Sequence, residues 1–262
     1  MKFFRFVPLD PSASPAAAPL YGVIEGEEIR EISGAPWNQW SRASRCWPRA
    51  KTRLLAPVEP SKIVCVGRNY AAHVAELGNV APKEPLLFLK APSSIVGPDE
   101  SILLPPYSQR VDYEGELAVI IGRRCAHLGD TDDPLSCVFG YTCLNDVTAR
   151  DLQKSDVQFA RAKGFDTFCP IGPHIETQLD PSDVLVETHV NGVRRQSGST
   201  SLMIYPVAFL VRYISRMMTL LPGDVIATGT PAGVGPLVVG DVVEVSVAGV
   251  GTLRNPVQAS RA

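Results

Sequence analysis

The stretch 112–123, Asp-Tyr-Glu-Gly-Glu-Leu-Ala-Val-Ile-Ile-Gly-Arg, constrains the fold more than any other part of the chain. Its second half, residues 117–121, is an unbroken apolar run closed by Gly122, the pattern of a strand buried on both faces. Its first half sets three acids at alternate positions, Asp112, Glu114 and Glu116. Side chains of a strand alternate between faces, so one continuous strand would point all three the same way. Carboxylates crowded on one face of a strand entering a core repel one another. A positive group must face them, and a divalent cation is the simplest candidate; the alternative is a charged strand end in water.

The remaining cues are mostly those of strands. Residues 3–7, 62–66, 86–89, 94–97, 102–104, 138–144, 224–227, 242–247 and 251–254 are short apolar or β-branched runs between turn residues. Residues 21–32 read as a hairpin turning near Glu25-Gly26-Glu27. Residues 183–190 and 193–196 flank Asn191-Gly192, which supplies the two positive-φ positions of a type I′ turn. Helices are expected at 71–77, closed by Gly78, and from Pro206 onward, with Val207, Leu210, Val211 and Ile214 as the apolar face. Residues 33–53 hold all three tryptophans with little periodicity and read as a surface loop or short helix. Pro57 and Pro60 mark a boundary. The expectation is a mainly β fold with α (α+β): a small N-terminal β domain over 1–56 and a main domain over 57–262.

Several polar residues stand where chemistry is possible. His73 and Glu76 are three apart on the expected helix and share a face. A carboxylate beside an imidazole orients it and raises its basicity, as a water-activating base requires; an exposed helix pair is the plainer reading. Asp146 follows the apolar run at a strand's end, where it is either a ligand presented to a cavity or the N-cap of a helix. Arg150 and Gln153 would share its face if a helix begins there. Lys163, beside a Gly-bearing aromatic turn, is either solvated or reaches into a site. The loop 228–235, Thr-Gly-Thr-Pro-Ala-Gly-Val-Gly, lacks the Gly-Lys-Ser/Thr ending of a phosphate-binding loop.

Bulk properties exclude some classes. A net charge of −2 with 20% charged residues gives no electrostatic footprint for nucleic acid or an anionic membrane surface. No apolar run nears the ~18 residues of a transmembrane helix. The start meets Pro8 and Pro11 too soon for a signal peptide. None of the six cysteines forms a Cys-x-x-Cys pair, which fits reduced thiols in a cytoplasmic protein.

Five stretches in order resemble the fumarylacetoacetate hydrolase family in its small bacterial and mitochondrial form. They are Val-Gly-Arg-Asn-Tyr (66–70), Tyr-Glu-Gly-Glu-Leu (113–117), Asn-Asp-Val-Thr-Ala-Arg-Asp (145–151), Lys-Gly-Phe-Asp (163–166) and the loop 228–235. The resemblance implies a mixed β-sandwich roll that forms a homodimer. It also implies a Mg²⁺ or Mn²⁺ held by Glu114, Glu116 and Asp146, with Ca²⁺ able to take the place in a crystal. Hard oxygen ligands suit such an ion. By the same resemblance His73, Glu76 and Lys163 are catalytic, and Arg68, Tyr70, Arg150, Gln153 and Thr230 bind substrate or position water.

The implied substrate is a keto or diketo acid chelated to the metal, with Lys163 and Arg150 offsetting its charge. Cleaving the C–C bond next to the polarised carbonyl leaves pyruvate enolate. The favoured reading is an acylpyruvate hydrolase that also decarboxylates oxaloacetate. The alternative is an isomerase or decarboxylase of 2-hydroxyhepta-2,4-diene-1,7-dioate-type acids in aromatic catabolism. A binding scaffold without turnover is the third reading.

Overall fold

Gly115–Ile121 is buried along its whole length in the computed structural model, which describes residues 1–9 and 18–260. Residues 10–17, where Pro11 stands, and 261–262 lie outside the described residues. Leu117, Val119 and Ile121 join one apolar cluster, while Ala118 and Ile120 join another on the opposite face. This two-sided burial is why the run is unbroken rather than alternating.

The strand lies inside a 12-stranded mixed sheet. It pairs antiparallel with Val138–Asn145 on one side and with Val225–Ala227 on the other. Val225–Ala227 continues in parallel to Ile63–Gly67, whose outer neighbour is the edge strand Leu86–Lys90. On the far side Val138–Asn145 pairs with Cys169–Glu176, which pairs with the N-terminal strand Lys2–Pro8. The strands of the first 56 residues therefore extend the main sheet rather than forming one of their own. A second, five-stranded sheet runs Val193–Ser199, Leu185–Val190, Val242–Val247, Gly251–Ala259 and Ile102–Leu104. Val186, Val245, Val247 and Leu253 of this sheet meet Leu117, Val119 and Cys143 of the first to form the main core. The helix Val207–Met217 adds Val207, Leu210, Val211 and Ile214 to it, the face expected from their spacing. Asn191 and Gly192 both have positive φ, 53° and 76°, as the hairpin turn demands. The molecule is thus mainly β with a few short helices.

Three readings of the sequence need correction. Residues 42–48 form a strand, Arg42–Pro48, followed by a 3₁₀ turn at Arg49–Lys51 and the strand Thr52–Leu54. Arg42–Pro48 is an edge strand bonded only to Glu28–Ile32 and buries none of its residues fully, so it shows no alternation. The expected strand over 94–97 shrinks to Ile95–Val96. The acidic stretch is not one continuous strand: Val111–Tyr113 belongs to a separate small sheet with Thr148–Ala149 and Gly235–Pro236. The chain changes sheet at Glu114, so Asp112 lies outside the cluster that Glu114 and Glu116 join, linked to Glu114 only through Arg150.

His174, in Cys169–Glu176, packs against Phe4 with ring centres 4.8 Å apart and planes tilted by 34°, and neither ring nitrogen has a hydrogen-bond partner among the described residues. Burial, aided by the charge of Lys2, lowers its pKa from 6.5 to about 4. The native state favours the neutral ring and the unfolded chain binds the proton more tightly. Stability is therefore full above pH 6.5 and falls as pH drops towards 4, by roughly 3 kcal/mol for this group. His174→Phe should flatten that part of the pH–stability curve measured by urea unfolding; an unchanged slope would assign the acid sensitivity elsewhere.

Candidate active site

The antiparallel register places Asn145 opposite Gly115, so the residues flanking them, Glu114, Glu116 and Asp146, come together at one end of the sheet. Asp146 N–H donates to Glu114 O at 2.8 Å, and Glu114 N–H donates to the Asn145 side-chain oxygen at 2.9 Å. Asp146 is not a helix cap, because the following helix, Arg150–Ser155, begins four residues later with Ala149 at its N-cap. Gly115 separates the two glutamates where Thr188 of the second sheet presses in. A Cβ there would lie 2.0 Å from the Thr188 hydroxyl oxygen, so the glycine between the two glutamates is a packing requirement.

The three carboxylates are all buried, and one oxygen from each lies within 4.8 Å of the others. Lys163, at the end of the short helix Ala160–Lys163, donates to Glu114 Oε2 at 2.9 Å and Asp146 Oδ2 at 2.6 Å. Its ammonium also lies 4.9 Å from the centre of the Phe88 ring. Arg150 donates to Glu114 Oε1 through Nη2, to Gln153 Oε1 through Nη1 at 2.6 Å and to Asp112 Oδ2 through Nε at 2.9 Å. Lys90, fully buried at the end of the edge strand, donates to Asp146 Oδ1 at 2.7 Å.

These contacts divide the acids. Burial opposes the charge of Glu114, but Lys163, Arg150 and His73 outweigh it and hold the carboxyl well below its usual range. Burial would likewise strip Lys163 of its proton, yet Asp146 and Glu114 keep it firmly protonated. Glu116 is different: no cation among the described residues is within ion-pair distance, and its Oε2 accepts only a backbone N–H, from Gly229 at 2.7 Å. Burial and the facing charges of Asp146 and Glu114 push its carboxyl well above the usual range. Three convergent carboxylates, one without a cation, form an all-oxygen donor set that could hold a hard divalent ion.

The cluster forms one wall of a cavity of about 450 Å³, a size suited to a small metabolite. Arg68, His73, Glu76, Gln153, Lys154, Phe159 and Thr230 also line it. His73 and Glu76 sit on the helix Ala71–Glu76, with Nδ1 and Oε2 3.4 Å apart. The Glu76 carboxylate is anchored by Gly233 N–H, at 3.0 and 3.1 Å to its two oxygens. Arg68 turns the chain out of Ile63–Gly67 with φ of 59° and makes no ion pair among the described residues.

Tyr70 and Thr230, both expected to bind substrate or position water, have different surroundings. Tyr70 is not among the residues lining the cavity: it is buried ahead of the helix, beside Gly198, and its hydroxyl has no hydrogen-bond partner among the described residues. Thr230 lines the cavity, but its hydroxyl proton is committed to Gly115 O at 2.8 Å while its oxygen accepts from Gln196 Nε2 at 2.7 Å. It therefore braces the Glu-Gly-Glu turn and offers substrate at most a lone pair. Sequence reading missed Lys90, Gln196 and the link from Asp112 to Arg150. A lysine closing an apolar strand was the only signal for the first.

Residues 62–258 match the family model described as fumarylacetoacetate (FAA) hydrolase C-terminal, and residues 1–57 match the model described as Rv2993c-like, N-terminal. The chain is 46% identical to 5-carboxymethyl-2-hydroxymuconate delta-isomerase from Mycobacterium smegmatis, whose crystal structure it matches with a TM-score of 0.89, covering 99% of this chain and 100% of that one. It is 43% identical to the fumarylacetoacetate hydrolase of Exiguobacterium antarcticum, with a TM-score of 0.81 over 99% and 100% of the two chains. It is 44% identical over 223 residues to the human mitochondrial oxaloacetate tautomerase FAHD2A, covering 80% of this chain and 71% of the relative. An isomerase, a hydrolase and a tautomerase thus stand at nearly equal distance, so likeness alone does not select the reaction. With a family model spanning most of its length and the carboxylate cluster built from that model's region, the chain belongs to the fumarylacetoacetate hydrolase family.

Proposed function

We propose that the protein is a divalent-cation-dependent enzyme of α-keto acid chemistry whose main reaction hydrolyses a C–C bond of an acylpyruvate or related β-diketo acid. The observation that carries this reading is that one cavity holds both the three-carboxylate cluster and the His73–Glu76 pair. Glu114, Glu116 and Asp146 would hold Mg²⁺ or Mn²⁺, which supplies Lewis-acid polarisation of the substrate's keto oxygen when bound.

The chain's own groups do the rest. His73 turns Nδ1 towards Glu76, which leaves Nε2 as the nitrogen able to take a proton from water. The water oxygen bonds to the distal carbonyl carbon, and the bond from that carbon to the pyruvyl methylene then breaks. The electron pair stays with the pyruvyl fragment as an enolate, and protonation gives pyruvate beside a carboxylic acid. Lys163, held as an ammonium, and Arg150 lie where this negative charge develops. Phe88 and Phe159 wall off that side of the cavity and limit stray protonation by bulk water. Loss of CO₂ from oxaloacetate follows the same electron flow without the attacking water.

A second reading, tautomerisation or isomerisation without cleavage, is favoured by the Glu76 carboxylate. Both its oxygens already accept from Gly233 N–H, a bond that competes with orienting His73. Two assays with Mg²⁺ or EDTA separate the readings: pyruvate release from acetylpyruvate, and enol–keto exchange of oxaloacetate. Mg²⁺-dependent pyruvate release supports the hydrolase. Exchange without release supports the tautomerase. Failure of both, with a dienedioate also untouched, leaves a binding scaffold.

A further inference from the structure

Asp112 is the one acid of the opening motif outside the carboxylate cluster, and it is fully buried. Its backbone is clamped on both sides, opposite Thr148 in one strand and Pro236 in the other. Its two oxygens are taken by arginines: Oδ2 accepts from Arg150 Nε at 2.9 Å and Arg110 Nη2 at 3.2 Å, and Oδ1 from Arg110 Nε at 2.8 Å. Arg150 N–H donates to Arg110 O at 2.7 Å, so the acid and the two arginines close on themselves. The far side of the Arg150 fork then has fixed directions, with Nη2 on Glu114 and Nη1 on Gln153 Oε1. A guanidinium only donates, so the Gln153 side chain must face it with its oxygen. Its amide NH₂ is left at the cavity wall with no hydrogen-bond partner among the described residues.

We propose that Asp112 is a positioning residue: by holding Nε of Arg150 it fixes the fork that turns the Gln153 amide NH₂ towards an oxygen of the bound keto acid. Without the Asp112 charge, Glu114 alone draws the guanidinium, and Nη1 swings off Gln153. The ligand assigned to Gln153 rests on the keto acid reading; the link from Asp112 to Gln153 does not.

The test uses Asp112→Asn, a substitution of equal size that removes the charge and leaves one oxygen for the three arginine N–H groups that Asp112 accepts from, while its NH₂ opposes the arginine it faces. Arg110 is half-exposed and free to swing into water, and Asp112→Asn combined with Arg110→Ala removes that conflict if the single variant folds poorly. In ligand-free protein the Gln153 side-chain amide resonances, assigned through Gln153→Ala, should shift in Asp112→Asn. An unmoved pair overturns the proposal whatever the ligand. In Mg²⁺-loaded protein, oxalate, a planar dianion with two chelating oxygens, should bind about tenfold more weakly to Asp112→Asn. In a Gln153→Ala background the same change should alter binding less than twofold, because the two residues act in series. The KM for the keto acid should rise by a larger factor than kcat falls, whereas a merely structural role would reduce the active fraction and spare KM. Effects of Asp112→Asn and Gln153→Ala that multiply would overturn the link. Wild-type protein that neither binds oxalate nor turns over a keto acid would count against the proposed function, and the amide resonances still decide the link.

Discussion

His73→Ala should lower pyruvate release from acetylpyruvate by about 10²–10⁴-fold while slowing oxaloacetate enol–keto exchange by less than tenfold. The reason is a division of labour within one cavity. Hydrolysis needs a base to take a proton from water, and among the described residues the only imidazole lining the cavity is His73, with Glu76 beside it. In the proposed mechanism enolisation would draw on the cation that the carboxylates could hold and on Lys163 and Arg150, and neither of these two side chains contacts His73 by a hydrogen bond. The 3.4 Å separation of the pair is long, as catalytic hydrogen bonds often are before substrate is present. The site follows Ala71 and Ala72 in a short helix, so alanine fits it without a change of backbone. Parallel loss of both activities would make His73 a general support of the cavity rather than a base. Hydrolysis at the wild-type rate would remove the pair from the mechanism.

Lys163→Met should destabilise the protein by about 3 kcal/mol in EDTA and reduce turnover by about 10²–10³-fold. Removing one partner of a buried ion pair strands the other charge, at a cost of about 3–5 kcal/mol. The low end applies here, because Lys90 still pairs with Asp146 and Arg150 with Glu114. A loss of that size lowers the thermal midpoint by roughly 6–12 °C for a chain of this length. Mn²⁺ should restore much of it, since an ion at a hundred times its Kd stabilises by about 2.7 kcal/mol and opposes the same stranded charge. The methionine sulfur and methylenes can keep the packing against Phe88, so the change isolates the ammonium. An unchanged midpoint with unchanged turnover would show that the lysine charge is a spectator.

Legibility of the fold in the sequence followed burial. Residues 117–121 were readable because a strand covered on both faces must be apolar throughout, and the hairpin at Asn191-Gly192 because few other pairs accept its geometry. The edge strand Arg42–Pro48 was not, since one-sided bonding and open faces impose no pattern. Cys169–Glu176 carries Pro170 and Pro173 in a central position that proline ordinarily avoids, so no local cue marks it. In the site, alternation wrongly grouped Asp112 with the two glutamates because the chain changes sheet at Glu114. The positive charge facing the acids was foreseen as a cation, but much of it is supplied by Lys90, Arg150 and Lys163. Lys90 and Asp146 are 56 residues apart, and no periodicity reaches that far.

The central claim is that Glu114, Glu116 and Asp146 together grip a single divalent ion. Its most direct measurement is a Mn²⁺ titration of the metal-free protein followed by electron paramagnetic resonance, beside Glu116→Gln. The variant keeps an oxygen to accept from Gly229 N–H and removes the one carboxyl of the cluster that has no cation partner among the described residues. Wild-type protein should bind one Mn²⁺ per chain, and Glu116→Gln should bind it on the order of 100-fold more weakly. A wild-type protein that leaves Mn²⁺ free at millimolar concentration, or a variant that binds it equally well, would contradict the claim.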